Sequence, residues 1–234
     1  MYKPPQQYSS LALNAVVAGA LVIVLLFLTF SRNEVWQSGL TAWEDTAAKS
    51  PRKSRVHNNL GRLYSFAGRH DEARRQFEIA LKLDLGNSEA MVNLGNAYAQ
   101  IGRTEDAIRT FRYSLEIEPN QPYAHNNIGL MLMRMGRLGE AVEEFRRAIG
   151  ADPAYAYAHF NLGNALRALG RPDEAVRSYQ EAVRLQPEYV KARYELGMTF
   201  RAMGRHDDAR REFEEALARD PDFSPALQAL YGVR

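Results

Sequence analysis

Residues 122–155 read PYAHNNIGLMLMRMGRLGEAVEEFRRAIGADPAY, and the same pattern returns every 34 residues from Ser54 to Phe223. Counted from the start of each unit, glycine stands at positions 8 and 15, alanine at position 20 and an aromatic residue at position 24. The glycines at position 8 are Gly61, Gly95, Gly129, Gly163 and Gly197, and the aromatic residues are Phe77, Phe111, Phe145, Tyr179 and Phe213. Five copies in register indicate an array of repeated structural units.

Each unit is predicted to contain two helices. Apolar residues recur at spacings of three, four and seven over two stretches of about a dozen residues, which is the period of an amphipathic helix. A Gly-Arg pair separates the two stretches, and its glycine can end the first helix in a left-handed conformation. Acidic residues then open the second helix, where they suit the positive end of the helix dipole. Proline closes four of the five units. The first unit has Leu85 and Gly86 at that point, so we expect its exit turn to differ.

With this signature the chain is identified as a member of the tetratricopeptide repeat (TPR) family over about three quarters of its length. The resemblance implies an all-α, right-handed superhelical solenoid, in which stacked units bury an apolar face that one unit alone would expose. The predicted repeats are residues 54–87, 88–121, 122–155, 156–189 and 190–223.

Half repeats are predicted to cap both ends of the array. Residues 31–53 match the second half of a further unit placed before the first one. In that alignment Trp43 takes the aromatic place, Thr46 the small place and Pro51 the place of the closing proline. Residues 224–234 are predicted to form a closing helix.

A short tail, residues 1–10, precedes an apolar segment, residues 11–30, which reads LALNAVVAGALVIVLLFLTF and holds no charge. Twenty such residues are long enough to cross a bilayer as a transmembrane helix. A cleaved signal peptide is the alternative, but the segment is long and lacks the usual small-residue cleavage pattern. Ala15 and Gly19 form a small-xxx-small pair that could let other transmembrane helices pack closely, although such a pair also arises by chance in an alanine-rich span.

Charge and cysteine content exclude several classes of function. Of 30 basic and 28 acidic residues, five and three fall in the first 53 residues, so the repeats carry 25 of each sign. A neutral solenoid lacks the basic face of a nucleic-acid binder. The absence of cysteine excludes disulfides, thiolate metal sites and covalent haem attachment.

No catalytic motif is present in the sequence. There is no Walker-type loop, nucleophile elbow or HExxH helix. His57, His125 and His159 share position 4 of their units and could be imagined as a metal ladder, but no carboxylate completes a coordination set, so packing is the better interpretation. We therefore predict no enzyme activity, no metal site and no cofactor.

The candidate binding residues are asparagines at position 6 of the first four units, with Glu195 in the fifth. An amide both donates and accepts, so it can pair with the backbone of an extended peptide whatever its sequence. The column resembles the asparagine ladder of O-GlcNAc transferases, which implies a protein or peptide partner in the concave groove. The alternative is that these are ordinary helix-surface asparagines. The predicted contact residues are Asn59, Asn93, Asn127 and Asn161, the flanking Asn58, Asn126, Asn96 and Asn164, and Arg62, Arg134, Arg167 and Arg201.

Aromatic residues add surface to the same helices. Tyr123, Tyr157, Phe160 and Tyr194 fit either core packing or a rigid wall for a partner.

Two hypotheses for function follow. The first is a membrane-anchored scaffold without chemistry of its own, an accessory subunit of a membrane complex. The second rests on the junction from Ser31 to Gly61, which resembles the start of the TPR tail in bacterial membrane glycosyltransferases related to protein O-mannosyltransferases. It implies a substrate-presenting partner of such an enzyme.

Basic residues near the apolar segment give no clear orientation under the positive-inside rule, and a count that included Arg52, Lys53 and Arg55 would favour cytoplasmic repeats. The junction resemblance instead implies a single-pass inner-membrane protein with periplasmic repeats.

Overall fold

The computed structural model describes residues 39–232 together with residues 21, 24 and 25. All regular structure in that part of the chain is helical, which agrees with the predicted fold class. The first helix, α1, is described over residues 39–49. The helices that follow are α2 (Ser54–Phe66), α3 (His70–Leu83), α4 (Ser88–Gln100), α5 (Thr104–Ile117), α6 (Pro122–Arg134), α7 (Leu138–Ala151), α8 (Ala156–Ala168), α9 (Pro172–Leu185), α10 (Val190–Ala202), α11 (His206–Arg219) and α12 (Ser224–Tyr231).

The helices stack as consecutive hairpins. Within each unit the first helix packs along the second, from α2 with α3 to α10 with α11. Each second helix then packs against the first helix of the next unit, and α12 packs on α11. The first helices α2, α4, α6 and α8 also contact one another in sequence, so they form one layer of the solenoid. The prediction of two helices per unit is confirmed.

The glycine at position 8 lets the two helices of a unit approach each other closely. A Cβ atom at Gly129 would lie 2.6 Å from Cε1 of Phe145, far inside the contact distance of two carbon atoms. The same distance at the other four glycines is 2.5 or 2.6 Å, and the five facing rings are each at most 2% exposed. In each unit the buried aromatic ring of the second helix therefore packs directly on the glycine backbone of the first helix.

The turn inside each unit depends on a left-handed glycine. The φ angles of Gly68, Gly102, Gly136, Gly170 and Gly204 lie between 71° and 79°. The N–H of the next residue, always arginine, donates to the carbonyl oxygen five residues earlier, as from Arg137 to Leu132 at 2.9 Å. This is the hydrogen bond of a Schellman motif, and it confirms how the first helix was predicted to end.

The same arginines lie next to the acidic residues that open the second helices. Arg137 contacts Glu140 at 2.6 Å and Arg171 contacts Glu174 at 2.6 Å, in each case three residues apart. These pairs lie at the surface, so each contributes little to stability.

The exit turn of the first unit keeps its shape without proline. The Oδ1 atom of Asp84 accepts the N–H of Gly86 at 3.1 Å, as Asp152 accepts the N–H of Ala154 at 2.9 Å in the third unit. The difference lies one residue further on, where the Asn87 side chain caps α4 by accepting the N–H of Ala90 at 2.9 Å.

Helix α1 covers the open side of the first repeat, as expected of a capping half repeat. Glu44 accepts a hydrogen bond from the Tyr64 hydroxyl at 2.6 Å, and Trp43 is partly buried against the same core. The small buried residue is Ala47, which is 8% exposed, and not Thr46. Thr46 is exposed and its hydroxyl bonds the carbonyl of Ala42 in its own helix, so the assignment of Thr46 to the small place was wrong. The repeat frame itself holds, because Tyr64 bonds Glu44 as Tyr98 bonds Glu78 one unit later.

Residues 11–30, the predicted transmembrane segment, lie outside the described residues except for Leu21, Val24 and Leu25, which are helical. Within the residues that are described, no helix combines the length and apolar character needed to cross a bilayer.

Candidate protein-binding surface

A chain of amide hydrogen bonds links the first helices of neighbouring units. Asn93 on α4, Asn127 on α6 and Asn161 on α8 are each half-buried. Each donates an Nδ2 hydrogen to the Oδ1 atom of an asparagine in the preceding unit. The pairs are Asn93 to Asn58 at 3.0 Å, Asn127 to Asn96 at 2.9 Å and Asn161 to Asn126 at 2.8 Å.

The asparagines flanking the column differ in their surroundings. Asn58 and Asn126 are buried, at 3% and 4% exposed, so their amides serve the contact between units. Asn96 is exposed. Asn164 accepts a hydrogen bond from the buried Tyr179 hydroxyl at 2.7 Å, which ties it to the second helix of its own unit.

The position-6 amides keep bonding capacity after these pairings. Among the described residues, the Oδ1 atoms of Asn93, Asn127 and Asn161 accept no hydrogen bond, and each Nδ2 has a second hydrogen. Asn59 opens onto a shallow cavity of about 270 Å³ lined by Trp43, Asn59, Arg62, Leu63 and Phe66. Three of the four amides in the row are therefore held in place with an unused acceptor.

The four candidate arginines do not converge on one point. Arg62 lies 3.6 Å from Glu89 of the next unit, and Arg134 donates to the carbonyl of Ala99 at 3.4 Å. Arg167 pairs at 2.9 Å with Glu195, the residue that interrupts the asparagine column.

The guanidinium of Arg201 lies 5.8 Å from the ring of Phe213. Because the ion pair of Arg62 with Glu89 is exposed on both sides, Arg62 can exchange its partner carboxylate for that of a ligand at small cost. The side chain of Glu195 is only 18% exposed, so Arg167 is held more firmly.

Aromatic rings form a continuous line beside the asparagine row. Ring centroids are 5.0 Å apart from Tyr123 to Tyr155, 6.1 Å from Tyr155 to Tyr157 and 5.1 Å from Tyr157 to Tyr189. We call these four residues the tyrosine stripe. Tyr123 and Tyr157 are exposed, whereas burial raises the pKa of Tyr155 to about 12 and also raises the pKa of Tyr189.

Sequence reasoning found only the exposed half of this stripe. Tyr123 and Tyr157 were singled out, together with Phe160, which is buried, and Tyr194, which packs beside Phe213. Tyr155 and Tyr189 were missed, although an aromatic residue ends each of the last three units. That run of aromatic residues at position 34 was the available signal.

The histidines at position 4 link their own units to the closing turns that precede them. His57 lies between Gln76 at 2.8 Å and the carbonyl of Pro51 at 3.1 Å. His125 lies likewise between Glu144 at 2.7 Å and the carbonyl of Pro119 at 3.4 Å. In the described part of the chain no group of three or more His, Asp or Glu side chains is placed to hold a metal ion.

The family of the chain follows from the fold together with a match in sequence. A sequence model described as tetratricopeptide repeat matches residues 58–124, 102–156, 126–190 and 160–225. These matches cover more than half of the chain, so the protein belongs to the tetratricopeptide repeat family.

Solved structures share the solenoid. The crystal structure of MamA is 25% identical with a TM-score of 0.64, covering 70% of this chain and 96% of that one. MamA from residue 41 onward, from Desulfovibrio magneticus RS-1, is 23% identical with a TM-score of 0.65, covering 73% and 96%. YrrB, described as a TPR protein with an unusual peptide-binding site, is 22% identical with a TM-score of 0.62, covering 80% and 97%. No curated protein sequence matches the chain.

Proposed function

We propose that this protein is a scaffold that holds an extended segment of a partner protein along the layer of first helices. The observation that carries the proposal is the row of position-6 amides, three of them held by a hydrogen bond from unit to unit and each with a free oxygen. Backbone N–H groups of a partner would donate to these oxygens, and its carbonyl groups would accept the second amide hydrogens.

Prior orientation of the amides favours binding. An amide that is already held by its neighbour loses less rotational freedom when a ligand arrives, so more of each new hydrogen bond contributes to affinity. Because the contacts are to backbone groups, the row sets the direction and register of the segment. The exposed side chains beside the row then set its sequence preference.

We further propose that residues 11–30 anchor the scaffold in the inner membrane, with the repeats on the periplasmic side, as an accessory subunit of a membrane complex. The support is the uncharged length of the segment. In the sequence the proposed span ends at Phe30 and the repeats begin at Ser54, so the short connection would hold the solenoid near the membrane surface.

A second candidate function is favoured by the junction sequence alone. The likeness of the stretch from Ser31 to Gly61 to the glycosyltransferase tails supports a scaffold that presents protein substrates to such an enzyme. Recovery of a multi-helix membrane glycosyltransferase with the intact chain would favour this candidate over a general adaptor.

Capture of partners from gently solubilised membranes tests the scaffold. The intact chain is compared with the triple variant Asn93→Ala/Asn127→Ala/Asn161→Ala, which we expect to lose its partners. The matched control is Asn58→Ala/Asn126→Ala, which removes two of the same hydrogen bonds from the buried side but keeps the amides at position 6. We expect this control to retain the partners with weaker capture. Equal capture by the triple variant and the intact chain would refute the role of the row.

Anchoring and orientation need separate measurements. Replacing residues 11–30 with a polar linker should release the chain from sealed membranes, and a chain that stays bound would overturn the anchor. Inverted inner-membrane vesicles should protect the repeats from added protease, whereas digestion of the repeats would place them in the cytoplasm.

A further inference from the structure

The tyrosine stripe borders the half of the asparagine row that lies in the third and fourth units. Tyr123 stands four residues before Asn127 on α6, and Tyr157 stands four residues before Asn161 on α8. Residues four apart lie on the same face of a helix, one turn from each other. A segment held by the amides therefore passes over the exposed rings, of which 61% of Tyr123 and 48% of Tyr157 is accessible.

The stripe is a rigid surface with alternating ring orientations. Neighbouring rings meet at interplanar angles of 65°, 60° and 56°, so each exposed ring stands against a differently tilted, half-buried one. Tyr155 and Tyr189 end the loops that precede α8 and α10. Tyr155 is held between the two exposed rings, and Tyr189 contacts the exposed Tyr157 and the buried Phe160. Tyrosine in such a setting offers a large contact area at a low entropy cost.

One charge stands at the end of the stripe. Lys191 occupies the same position of the fifth unit that Tyr123 and Tyr157 occupy in theirs. It is exposed, its Nζ lies 5.7 Å from the centre of the Phe160 ring, and it forms no ion pair within the described residues. A ligand that runs along the rings toward α10 therefore meets a positive charge without an acidic partner.

Resting on the proposed scaffold function, we propose that the tyrosine stripe binds a proline-rich segment in the polyproline II conformation, followed by an acidic residue that pairs with Lys191. Aromatic-lined grooves suit this conformation because it is extended, already ordered and free of internal hydrogen bonds. Its exposed carbonyl groups can accept from the amide hydrogens and phenol hydroxyls beside it.

The spacing of the rings supports this choice over other extended ligands. One turn of polyproline II takes three residues and about 9.3 Å. The Tyr123 and Tyr157 rings are separated by two successive intervals of 5.0 Å and 6.1 Å, which set an upper limit on their distance, and one such turn falls within that limit. Proline rings on one edge of the ligand would thus meet Tyr123 and then Tyr157. An amphipathic helix would instead need a groove without the hydroxyl and amide groups found here.

Fluorescence anisotropy with synthetic peptides tests the proposal on the full chain in detergent. The probe is a labelled oligoproline that ends in aspartates, and the comparison peptide has alanine in place of every proline. We expect the oligoproline to bind at least about tenfold more tightly, and the variant Tyr123→Ala/Tyr157→Ala to lose at least about tenfold in affinity for it. The matched control is Tyr113→Ala on the second helix α5, where the ring is 60% exposed, and its affinity should not change. Lys191→Glu should favour an oligoproline that ends in lysines.

Equal affinity for the two peptides, or equal loss in the Tyr113→Ala control, would overturn the proposal. The result is independent of the scaffold test. If membrane partners are still captured through the asparagine row while oligoproline fails to bind, the assignment of the ligand is wrong and the scaffold stands. If oligoproline binds and the asparagine variant keeps its partners, the stripe recognises its ligand without the row.

Discussion

The contact between Gly129 and Phe145 makes Gly129→Ala a sharp test of how each unit is held together. The new Cβ would lie 2.6 to 2.9 Å from three atoms of the ring, which is itself 0% exposed and cannot turn away into solvent. Forcing one methyl group into a filled core costs about 1–3 kcal/mol. Alanine recovers about 1 kcal/mol because it forms helix better than glycine. We therefore expect a net loss of up to about 2 kcal/mol.

The matched control is Gly150→Ala in α7. Gly150 is also helical, but it is exposed and a Cβ there meets no atom within 4 Å. Only the helix preference acts at this site, so the variant should gain about 0.5–1 kcal/mol. The two substitutions are chemically identical and are predicted to have opposite signs.

Thermal unfolding followed by far-ultraviolet circular dichroism measures both variants. For a chain of this size a loss of up to about 2 kcal/mol lowers Tm by up to roughly 8 °C. The double variant Gly129→Ala/Phe145→Leu should be more stable than the sum of its single effects by at least about 0.5 kcal/mol, because the smaller side chain makes room for the methyl group. If Gly129→Ala were as stable as Gly150→Ala, the close helix contact would not be a constraint and the explanation of the position-8 glycines would be wrong.

Three further predictions concern the turns, the amide chain and the stripe. Gly170→Ala should lower the free energy of unfolding by about 1–2 kcal/mol, because the φ angle of 71° is left-handed and unfavourable for alanine. Gly170→Asn should lower it less, and urea unfolding measures both. Asn126→Ala should lower the free energy of unfolding by about 1 kcal/mol, because it leaves Asn161 without its acceptor. It should also speed amide hydrogen exchange in α6 and α8. Replacing the exposed Asn96 should lower the stability less. Since burial raises the pKa of Tyr155 from 10.0 to about 12, the folded state keeps a proton that the unfolded state releases, and stability should fall as pH rises across that interval. Tyr155→Phe should lose less stability there when unfolding is measured at each pH.

The helices, turns and stacking order could be predicted from the sequence because local forces determine them. Three sequence signals each indicate one structural feature. A glycine after the last apolar residue ends a helix, acidic residues after it begin the next helix, and the 34-residue period gives the stacking order. The prediction failed at Thr46, where a step of one residue turns a helix by about 100° and replaces the exposed side chain with the buried Ala47.

The candidate surface was predictable only in part. The asparagine column is visible in the sequence, but the pairing of Asn93 with Asn58 depends on how far one first helix is shifted along the next. The period alone does not give that shift. The tyrosine stripe likewise depends on packing, because Tyr123 and Tyr155 stand near opposite ends of one unit in the sequence and meet only when the unit has folded. The binding roles of the asparagines and arginines stay predictions.

The repetition of the amide contact has a consequence for how such a chain can change in length. Asn58 meets Asn93 and Asn126 meets Asn161 across the same separation of 35 residues, so the joint at both places is the same. The contact between the second and third units is different, because Asn127 there bonds Asn96 across 31 residues. Removing the second and third units together would bring Asn161 to the place of Asn93 opposite Asn58. The groove can therefore shorten or lengthen by two units while this contact is kept.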